Sequence, residues 1–418
     1  MDKRIFLLVF FWVSWLGLQS QSKTISLEEC LEAVSNNHPS FQKSGVIQQL
    51  GTAQVEKANQ NWWPKLKISG QLTWQNKVTQ LNIDAPIPGF EVPQIPKTQY
   101  RVAGELNQIL FDGGMTSRQK TVNKASTAAT IQQNLMQQQD IKDNIQNLYF
   151  NGLLIDQKLN SLHLVEDDLT SQLQRLKNMK ENGLVTGASV DRLDAELLQL
   201  QLTIQQTEKA RLSLLENLST LTGLAFDAEV SLQLPKENPQ TEARAELALF
   251  DAQKQILDGQ LSLINAKGVP QLQAFALGGY GQPGFNFLDE NPAFMFQAGL
   301  RLGWDISSFY TNKKDREILS LQQLQIDKDK EAYNSFNQTQ KVNLNKELQD
   351  YQDALQTDEA IITLREKIKM RAGTQLENGT LTTAEYISDV NAWSKAMLDR
   401  DIHQVQVLQT VYQLRFYP

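Results

Sequence analysis

The sequence predicts a mainly α-helical fold that carries a smaller set of membrane-type β-strands. Three observations predict it. An apolar repeat of 3.5 residues is sustained over very long segments, four short segments alternate between polar and apolar residues, and the chain contains an internal duplication. Each half has the same predicted plan: a helix of about 30 residues, two strands flanking a loop, a very long helix, a tight turn and another helix.

The long helices carry the clearest pattern. Apolar residues recur in alternating steps of four and three, which indicates antiparallel coiled-coil packing. No proline interrupts residues 112–181, so a helix over this span would be roughly 100 Å long. The positions in the first half are Ile141, Ile145, Leu148, Gly152, Ile155, Leu159, Leu162, Glu166, Leu169, Leu173 and Leu176, then Leu193, Leu197, Leu200, Ile204, Thr207, Arg211, Leu214, Leu218 and Leu221. The Gln- and Asn-rich flanks fit either a solvated coiled coil or a wall that lines a wet interior.

The four alternating segments have the length of tilted membrane-spanning strands, about ten residues each. In the first, Leu66, Ile68 and Leu72 fall on one face, and Lys67 and Ser69 fall on the other. Alternation alone favours a half-buried soluble sheet. The predicted export signal and the long helices favour the membrane interpretation. The predicted strands lie near 65–75, 98–108, 270–281 and 293–305.

The duplication follows from conserved spacings between the two halves. Pro64 and Pro270 precede matching strands and are 206 positions apart, whereas Leu106 and Leu302 are 196 apart. The tripeptide Glu-Asn-Gly recurs at residues 181 and 377, again 196 apart. One ten-residue difference in a single inter-strand loop explains every spacing. The sequence therefore predicts a first repeat over 21–235 and a second over 236–418.

Residues 1–20 are predicted to be a signal peptide, because "MDKR" supplies positive charge and "IFLLVFFWVSWLGL" supplies an apolar segment. That apolar segment is short for a spanning helix, so an uncleaved anchor is the weaker alternative. No later stretch of 18 residues is apolar throughout. Cys30 is the one cysteine, which excludes an internal disulfide, and its position predicts a small buried helix residue.

Composition and spacing point away from nucleic-acid binding and from catalysis. The net charge of −7 and the lack of a basic stripe make nucleic acid an unsuitable partner. His38, His163 and His403 are too widely separated to give a metal-ligand spacing. The pair Asp191 and Asp194 is better explained as a solvated helix face than as an acid–base pair. No cofactor, metal site or enzymatic activity is predicted.

Several motifs together resemble one known family. They are "ISLEECLEAVSNNHPSFQ", "LNQILFDGG", "ENGLVTGASVDRLDAELLQL" and "LENGTLTTAEYISDVNA". In this order and spacing, the chain resembles the TolC-like outer membrane efflux proteins over nearly its whole mature length. The resemblance implies a homotrimer in which long coiled-coil helices form an α-barrel tunnel. Each protomer would add four transmembrane strands to a shared twelve-stranded barrel, since four strands cannot close alone and lipid does not tolerate open edges.

The resemblance also implies a function and partners. The chain would be a channel-tunnel in the cell outer membrane with a long periplasmic extension, the exit duct of a tripartite efflux pump or type I secretion system. Conduction would be passive. The expected partners are outer-membrane lipid, a periplasmic adaptor (membrane fusion) protein and, indirectly, an inner-membrane transporter. The alternative is a periplasmic coiled-coil adaptor or structural protein with a soluble β-domain.

The two Glu-Asn-Gly turns are predicted to close the helical hairpins, with Gly183 and Gly379 adopting the left-handed conformation. The resemblance implies that these turns form the periplasmic tips where the adaptor docks. The tip residues are Gly183, Leu184, Val185 and Thr186 in the first half, and Gly379, Thr380, Leu381 and Thr382 in the second.

The resemblance further implies a pore constriction next to the tips. Glu385 stands at a position where acidic residues ring the mouth, and Ser388 occupies the second such position. Ser189 stands where an acidic latch partner occurs, and Leu381 where a basic one occurs, so most of the charged latch is missing. Arg192 completes the constriction set of Glu385, Ser388, Ser189 and Arg192. For Glu385, a solvated first-turn residue favoured by the helix dipole is an equally good interpretation.

Overall fold

The computed structural model describes residues 24–79, 95–236, 244–286 and 289–417. The predicted signal peptide and most of the longer inter-strand loop lie outside these ranges. The described chain is mostly helical, and its elements are β1 (Thr24–Ile25), α1 (Leu27–Asn37), α2 (Pro39–Asn59), β2 (Lys65–Trp74), β3 (Thr98–Phe111), α3 (Met115–Glu181), α4 (Gly187–Thr222), β4 (Ser231–Leu232), α5 (Ala245–Lys267), β5 (Gln271–Gln282), β6 (Ala293–Gly303), α6 (Ser308–Glu377) and α7 (Thr383–Leu414).

The chain folds into two compact units, and each unit draws segments from both predicted repeats. The first comprises Met1–His38, Lys142–Gln240 and Asn343–Arg415. The second comprises Pro39–Ile141, Thr241–Val342 and Phe416–Pro418. The predicted repeats are sequential, whereas the compact units are built from matching pieces of the two halves.

Two helices have the extreme length that the sequence predicts. α3 contains 67 residues and α6 contains 70, which corresponds to roughly 100 Å each. Every predicted seam position of α3 and α4 is buried or half-buried. Leu176, Leu193 and Leu218 have no exposed surface at all. The repeat of 3.5 residues therefore marks the packed face of these helices.

The first predicted helix is wrong in one respect, because two helices stand where the sequence predicts one of about 30 residues. α1 ends at Asn37 and α2 begins at Pro39, with His38 in an extended conformation (φ −78°, ψ 132°). The ring of a proline disfavours helical geometry in the residue before it. Pro39 therefore interrupts the pattern, whereas α5 in the second half is continuous.

The first unit contains the short parallel pair β1–β4, of which Ile25 is buried. The Tyr149 hydroxyl lies 2.8 Å from the Ile25 carbonyl oxygen and 2.6 Å from that of Gln233, so it ties both strands to α3. Cys30 is fully buried, as predicted, and burial raises the pKa of its thiol to about 12. The thiol is therefore protonated and unreactive in the folded protein.

The second unit contains an antiparallel sheet of four strands in the order β2-β3-β5-β6. These strands lie within a residue or two of the predicted segments, except that β3 continues to Phe111. The register aligns the alternating patterns, so one face of the sheet is apolar across all four strands. Its side chains are largely exposed, including Ile68 (75%), Leu72 (75%), Phe294 (88%) and Phe296 (75%).

The opposite face of the sheet is mainly polar. β2 and β3 contribute Ser69, Gln71, Arg101 and Glu105 to it, and β6 contributes Gln297 and Arg301. β5 departs from the pattern here, because Phe275 lies on this face and receives the Arg301 guanidinium over its ring at 4.9 Å. The strong segregation of faces is the structural result of the alternation in the sequence.

The two hairpins of the sheet have the same register. Lys65 pairs with Asn107 in the first hairpin, and Gln271 pairs with Gly303 in the second. Gln271 is 206 positions after Lys65, and Gly303 is 196 positions after Asn107, which are the two offsets of the duplication. None of the described helices combines the length and apolar character needed to cross a membrane.

Two glycines of α2 give a matched test of helix packing in the second unit. A Cβ at Gly51 would lie 2.3 Å from Thr127 Oγ1 and 2.9 Å from Thr127 Cβ, whereas a Cβ at Gly45 meets nothing within 4 Å. We expect Gly51→Ala to lower the free energy of unfolding by about 1–3 kcal/mol through overpacking. Gly45→Ala should raise it by about 0.5–1 kcal/mol. Chemical unfolding followed by circular dichroism measures both, and equal effects would contradict the packing.

Candidate functional site at the helix tips

The two hairpin turns of the first unit share one backbone geometry. Gly183 and Gly379 both adopt φ +70°. After α3, the Gly183 N–H donates to the Lys180 carbonyl (3.0 Å) and the Leu184 N–H to that of Met179 (2.9 Å). After α6, the Gly379 N–H donates to the Leu376 carbonyl (3.1 Å) and the Thr380 N–H to that of Gln375 (2.9 Å). Both are Schellman caps, in which a left-handed residue satisfies the last carbonyls of a helix.

The helices that follow the turns begin differently. Thr382 caps α7 in a reciprocal capping box: its hydroxyl accepts from the Glu385 N–H (3.3 Å), and the Glu385 carboxylate accepts from the Thr382 N–H (2.9 Å). These bonds from Thr382 hold the pKa of Glu385 below its ordinary value of 4.5. At the first tip, Thr186 is the N-cap residue without a side-chain cap bond, and its hydroxyl instead lies 3.1 Å from that of Ser189.

The tips of both hairpins pack into one hydrophobic cluster. It joins buried residues of α3 and α4, such as Leu176 and Leu193, to Leu376 of α6 and Tyr386 of α7. Val185 and Leu381, the equivalent residues of the two turns, pack partly buried against its edge. Val185 and Leu381 therefore fix the turns to the cluster. The other turn residues Gly183, Leu184, Gly379 and Thr380 are exposed.

A partly buried polar network beside this cluster links the two hairpins. The Asp168 carboxylate of α3 contacts Lys369 Nζ of α6 at 3.0 Å and accepts from the Tyr386 hydroxyl of α7 at 2.7 Å. Lys369 Nζ also lies 3.6 Å from the ring centroid of Trp393. Burial, followed by the bond to Asp168, raises the pKa of Tyr386, so its hydroxyl stays protonated and donates. One carboxylate thus holds helices of both hairpins together.

The chain combines long helical hairpins, which end in paired Schellman caps, with an antiparallel sheet of alternating strands. A chain with these features also matches a known protein family. The family model for outer membrane efflux proteins matches residues 30–224. Over these residues the chain is similar to the outer membrane efflux proteins. The prediction that the chain resembles this family is confirmed.

Solved structures of outer-membrane proteins and channels share the fold. The outer membrane protein VceC from Vibrio cholerae is similar at 12% identity with a TM-score of 0.69, over 93% of this chain and 95% of that one. The outer-membrane channel OprN is similar at 12% identity with a TM-score of 0.71, over 93% of this chain and 89% of that one. The Campylobacter jejuni CmeC outer membrane channel is similar at 12% identity with a TM-score of 0.69, over 93% of this chain and 84% of that one. The sequence comparison with curated proteins gives no significant match.

OprN and CmeC, two of the structures that share the fold, are outer-membrane channels. Within the described ranges, no group of three or more His, Cys, Asp or Glu residues could hold a metal ion.

The structure places the predicted constriction residues on the helices that follow the tips. Glu385 and Ser388 lie one turn apart on α7, and both are exposed. Ser189 and Arg192 lie one turn apart on α4, with Ser189 half-buried and Arg192 exposed. The Glu385 carboxylate is engaged in its capping box, so capping explains its presence directly. A role of these four residues in a constriction stays a prediction.

Asp168, Lys369, Tyr386 and Trp393 are not among the predicted site residues. The offset of 196 between the halves does single out three of them. Lys369, Tyr386 and Trp393 stand at the positions equivalent to Leu173, Val190 and Leu197, which are buried apolar residues of the first hairpin. Polar groups substituted into a repeated apolar seam need a polar partner. That polar partner is Asp168, and only the packing of α3 against α6 and α7 brings it to these residues.

The capping box at the second tip predicts a pH-dependent stability. Because the folded-state pKa of Glu385 is depressed, its contribution is complete above the ordinary value of 4.5 and is lost as pH falls through the folded value. We expect Glu385→Gln to lower the thermal unfolding midpoint at pH 7, with the difference from the unsubstituted protein shrinking as the pH falls below 4.5. Thr382→Ser, which keeps the hydroxyl, serves as the control. A difference independent of pH would contradict the ionised cap.

Proposed function

We propose that this chain is an outer-membrane channel-tunnel, the exit duct of a tripartite efflux or type I secretion system. It works as a homotrimer with a long periplasmic extension. Conduction is passive, and energy comes from an inner-membrane transporter that is reached through a periplasmic adaptor. The outer membrane efflux protein domain supports the family assignment, and the sheet carries the membrane part of the proposal.

The exposed apolar face of the four-stranded sheet is the observation that carries this function. Its strands contain 10 to 14 residues, which is enough to cross a bilayer at a tilt. Leu66, Leu300 and Leu302 are 69%, 67% and 71% exposed on this face. Water would disfavour so large an apolar surface, whereas lipid matches it.

The sheet also motivates the trimer. β2 and β6 lie at its two edges, each with one side of its backbone unpaired within the described chain. An unpaired edge in lipid costs several kcal/mol per group, so the sheet has to close on further copies. Three copies of four strands give a closed barrel of twelve, with the mainly polar face inward.

The alternative, a periplasmic adaptor or structural protein with a soluble β-domain, fits this sheet poorly. A soluble sheet buries its apolar face against another layer. Here that face includes Phe294 and Phe296 with at least 75% of each residue exposed. The helical hairpins fit both proposals and do not decide between them.

Fractionation and conductance test the proposal. The protein should stay in the membrane after an alkaline carbonate wash, run as a trimer in mild detergent and conduct ions in planar bilayers. Release by the wash as a monomer would favour the soluble alternative. A membrane-bound trimer that conducts at no voltage or pH would contradict a pore that opens.

The Asp168 network is proposed to hold the periplasmic mouth closed. Asp168→Asn removes the charge partner of Lys369, and Tyr386→Phe removes the donated bond. We expect each change to weaken the contact free energy between the two hairpins by about 1–3 kcal/mol. That loss shifts the ratio of closed to open channels roughly tenfold and raises the open probability in bilayers. The control is Glu377→Gln, which breaks an exposed ion pair with Arg175 that is worth about 0–1 kcal/mol. Equal effects of all three changes would contradict a latch at Asp168.

The exposed tip residues are proposed as the adaptor docking site. Leu184 at the first tip is 69% exposed, and Leu198 on α4 is 65% exposed outside the turn. We expect Leu184→Ser to reduce co-purification of the adaptor after in-cell cross-linking about tenfold, as loss of an exposed apolar anchor does. Leu198→Ser is the matched control and should retain it. If Leu198→Ser reduces co-purification and Leu184→Ser does not, docking occurs elsewhere.

A further inference from the structure

The two edges of the sheet define a specific strand pairing with a second copy of this chain. β2 and β6 are the edge strands, and β3 and β5 pair in the centre. The central seam joins the hairpin of the first repeat to the hairpin of the second. A seam between β6 of one copy and β2 of the next would likewise join a second repeat to a first repeat. The two seams would then pair equivalent strands in an equivalent way.

The duplication allows residues of one seam to be carried onto the other. β3 corresponds to β6 at an offset of 196, and β2 corresponds to β5 at an offset of 206. The offsets hold residue by residue, because they convert the pair Leu66–Leu106 of the first hairpin into the pair Leu272–Leu302 of the second.

The observed seam between β3 and β5 supplies the register. Leu106 pairs with Ala276, and Glu105 pairs with Leu277. The offsets convert these residues to Leu302 and Arg301 on β6, and to Gly70 and Gln71 on β2. We infer that β6 pairs antiparallel with β2 of a second copy in the register Leu302–Gly70, Arg301–Gln71 and Leu300–Leu72. This inference rests on the proposed trimer.

The chemistry of the paired residues agrees with this register. Leu302 and Leu300 fall opposite Gly70 and Leu72 on the apolar face, with the large Leu302 beside the small Gly70. Arg301 falls opposite Gln71 on the polar face. A slip of one residue would place Arg301 opposite Gly70 or Leu72 and bring polar side chains into the apolar face.

Charge at the helix-proximal end adds a second argument. Continued past Gly303, the register brings Asp305 opposite Lys67 of the second copy, by analogy with Ile109 and Gln273 in the central seam. Both side chains are exposed. Opposite charges facing each other across a strand pair stabilise it, and a slip of two residues would separate them.

Disulfide cross-linking tests the register, because the buried Cys30 does not compete. The variants are Gln71→Cys with Arg301→Cys, and Ser69→Cys with Gly303→Cys, both of which are predicted pairs. Directly opposed residues lie within the Cα distances that a disulfide requires, and residues displaced by two positions do not. The controls Ser69→Cys with Arg301→Cys and Thr73→Cys with Arg301→Cys keep the same face but shift the register by two.

We expect the two predicted pairs to give covalent trimers under mild oxidation about tenfold more efficiently than the shifted controls. Gln71 and Arg301 lie on opposite edges of the sheet in one copy, so the bonds form between copies. Reduced variants are checked for trimer mass in detergent. If a reduced variant is trimeric and a shifted control cross-links better, the register is wrong while the proposed function stands. If the unsubstituted protein is not trimeric, the proposed function itself fails.

Discussion

Every backbone N–H and C=O group of a strand needs a hydrogen-bond partner, and this constraint governs the second unit. Four strands satisfy one another through β2, β3, β5 and β6, but two edges are left. Because the sheet also presents an exposed apolar face, the edges cannot rely on water if that face meets lipid. The proposed trimer and the inferred strand register both follow from this requirement. The helices do not require a partner chain for this purpose, because their backbone N–H and C=O groups bond to one another within each helix.

The duplicated tips show how one backbone design carries two different chemistries. Both turns use a left-handed glycine and the same Schellman bonds, and both bury an apolar residue, Val185 or Leu381, at the edge of one cluster. The second hairpin has Lys369, Tyr386 and Trp393 where the first has buried apolar residues. The first hairpin provides packing, and the second adds polar contacts that reach Asp168. A polar contact can be broken at a lower cost in buried area than a packed apolar contact, which fits the proposed opening of the periplasmic mouth.

Glu385 shows the limit of transferring roles by family position. The resemblance places it at the mouth, where acidic residues ring the pore. In the structure its carboxylate bonds both to the backbone N–H and to the hydroxyl of Thr382. Ser189, its equivalent in the first hairpin, lacks a carboxylate and makes no such box. The family position and the local cap are compatible, but the cap alone accounts for the residue.

The sequence by itself determined the periodic features of this protein. The repeat of 3.5 residues specified which faces of α3 and α4 are buried, the alternation specified the two faces of the sheet, and the duplication specified two equivalent turns at Gly183 and Gly379. Such features depend on residues close in sequence, whose directions are fixed by helix and strand geometry. The tertiary structure alone decided the rest. Asp168 is separated from Lys369 by 201 positions and from Tyr386 by 218, so only packing brings them together. The break at His38, by contrast, follows from Pro39 itself, because the ring of a proline disfavours helical geometry in the residue before it.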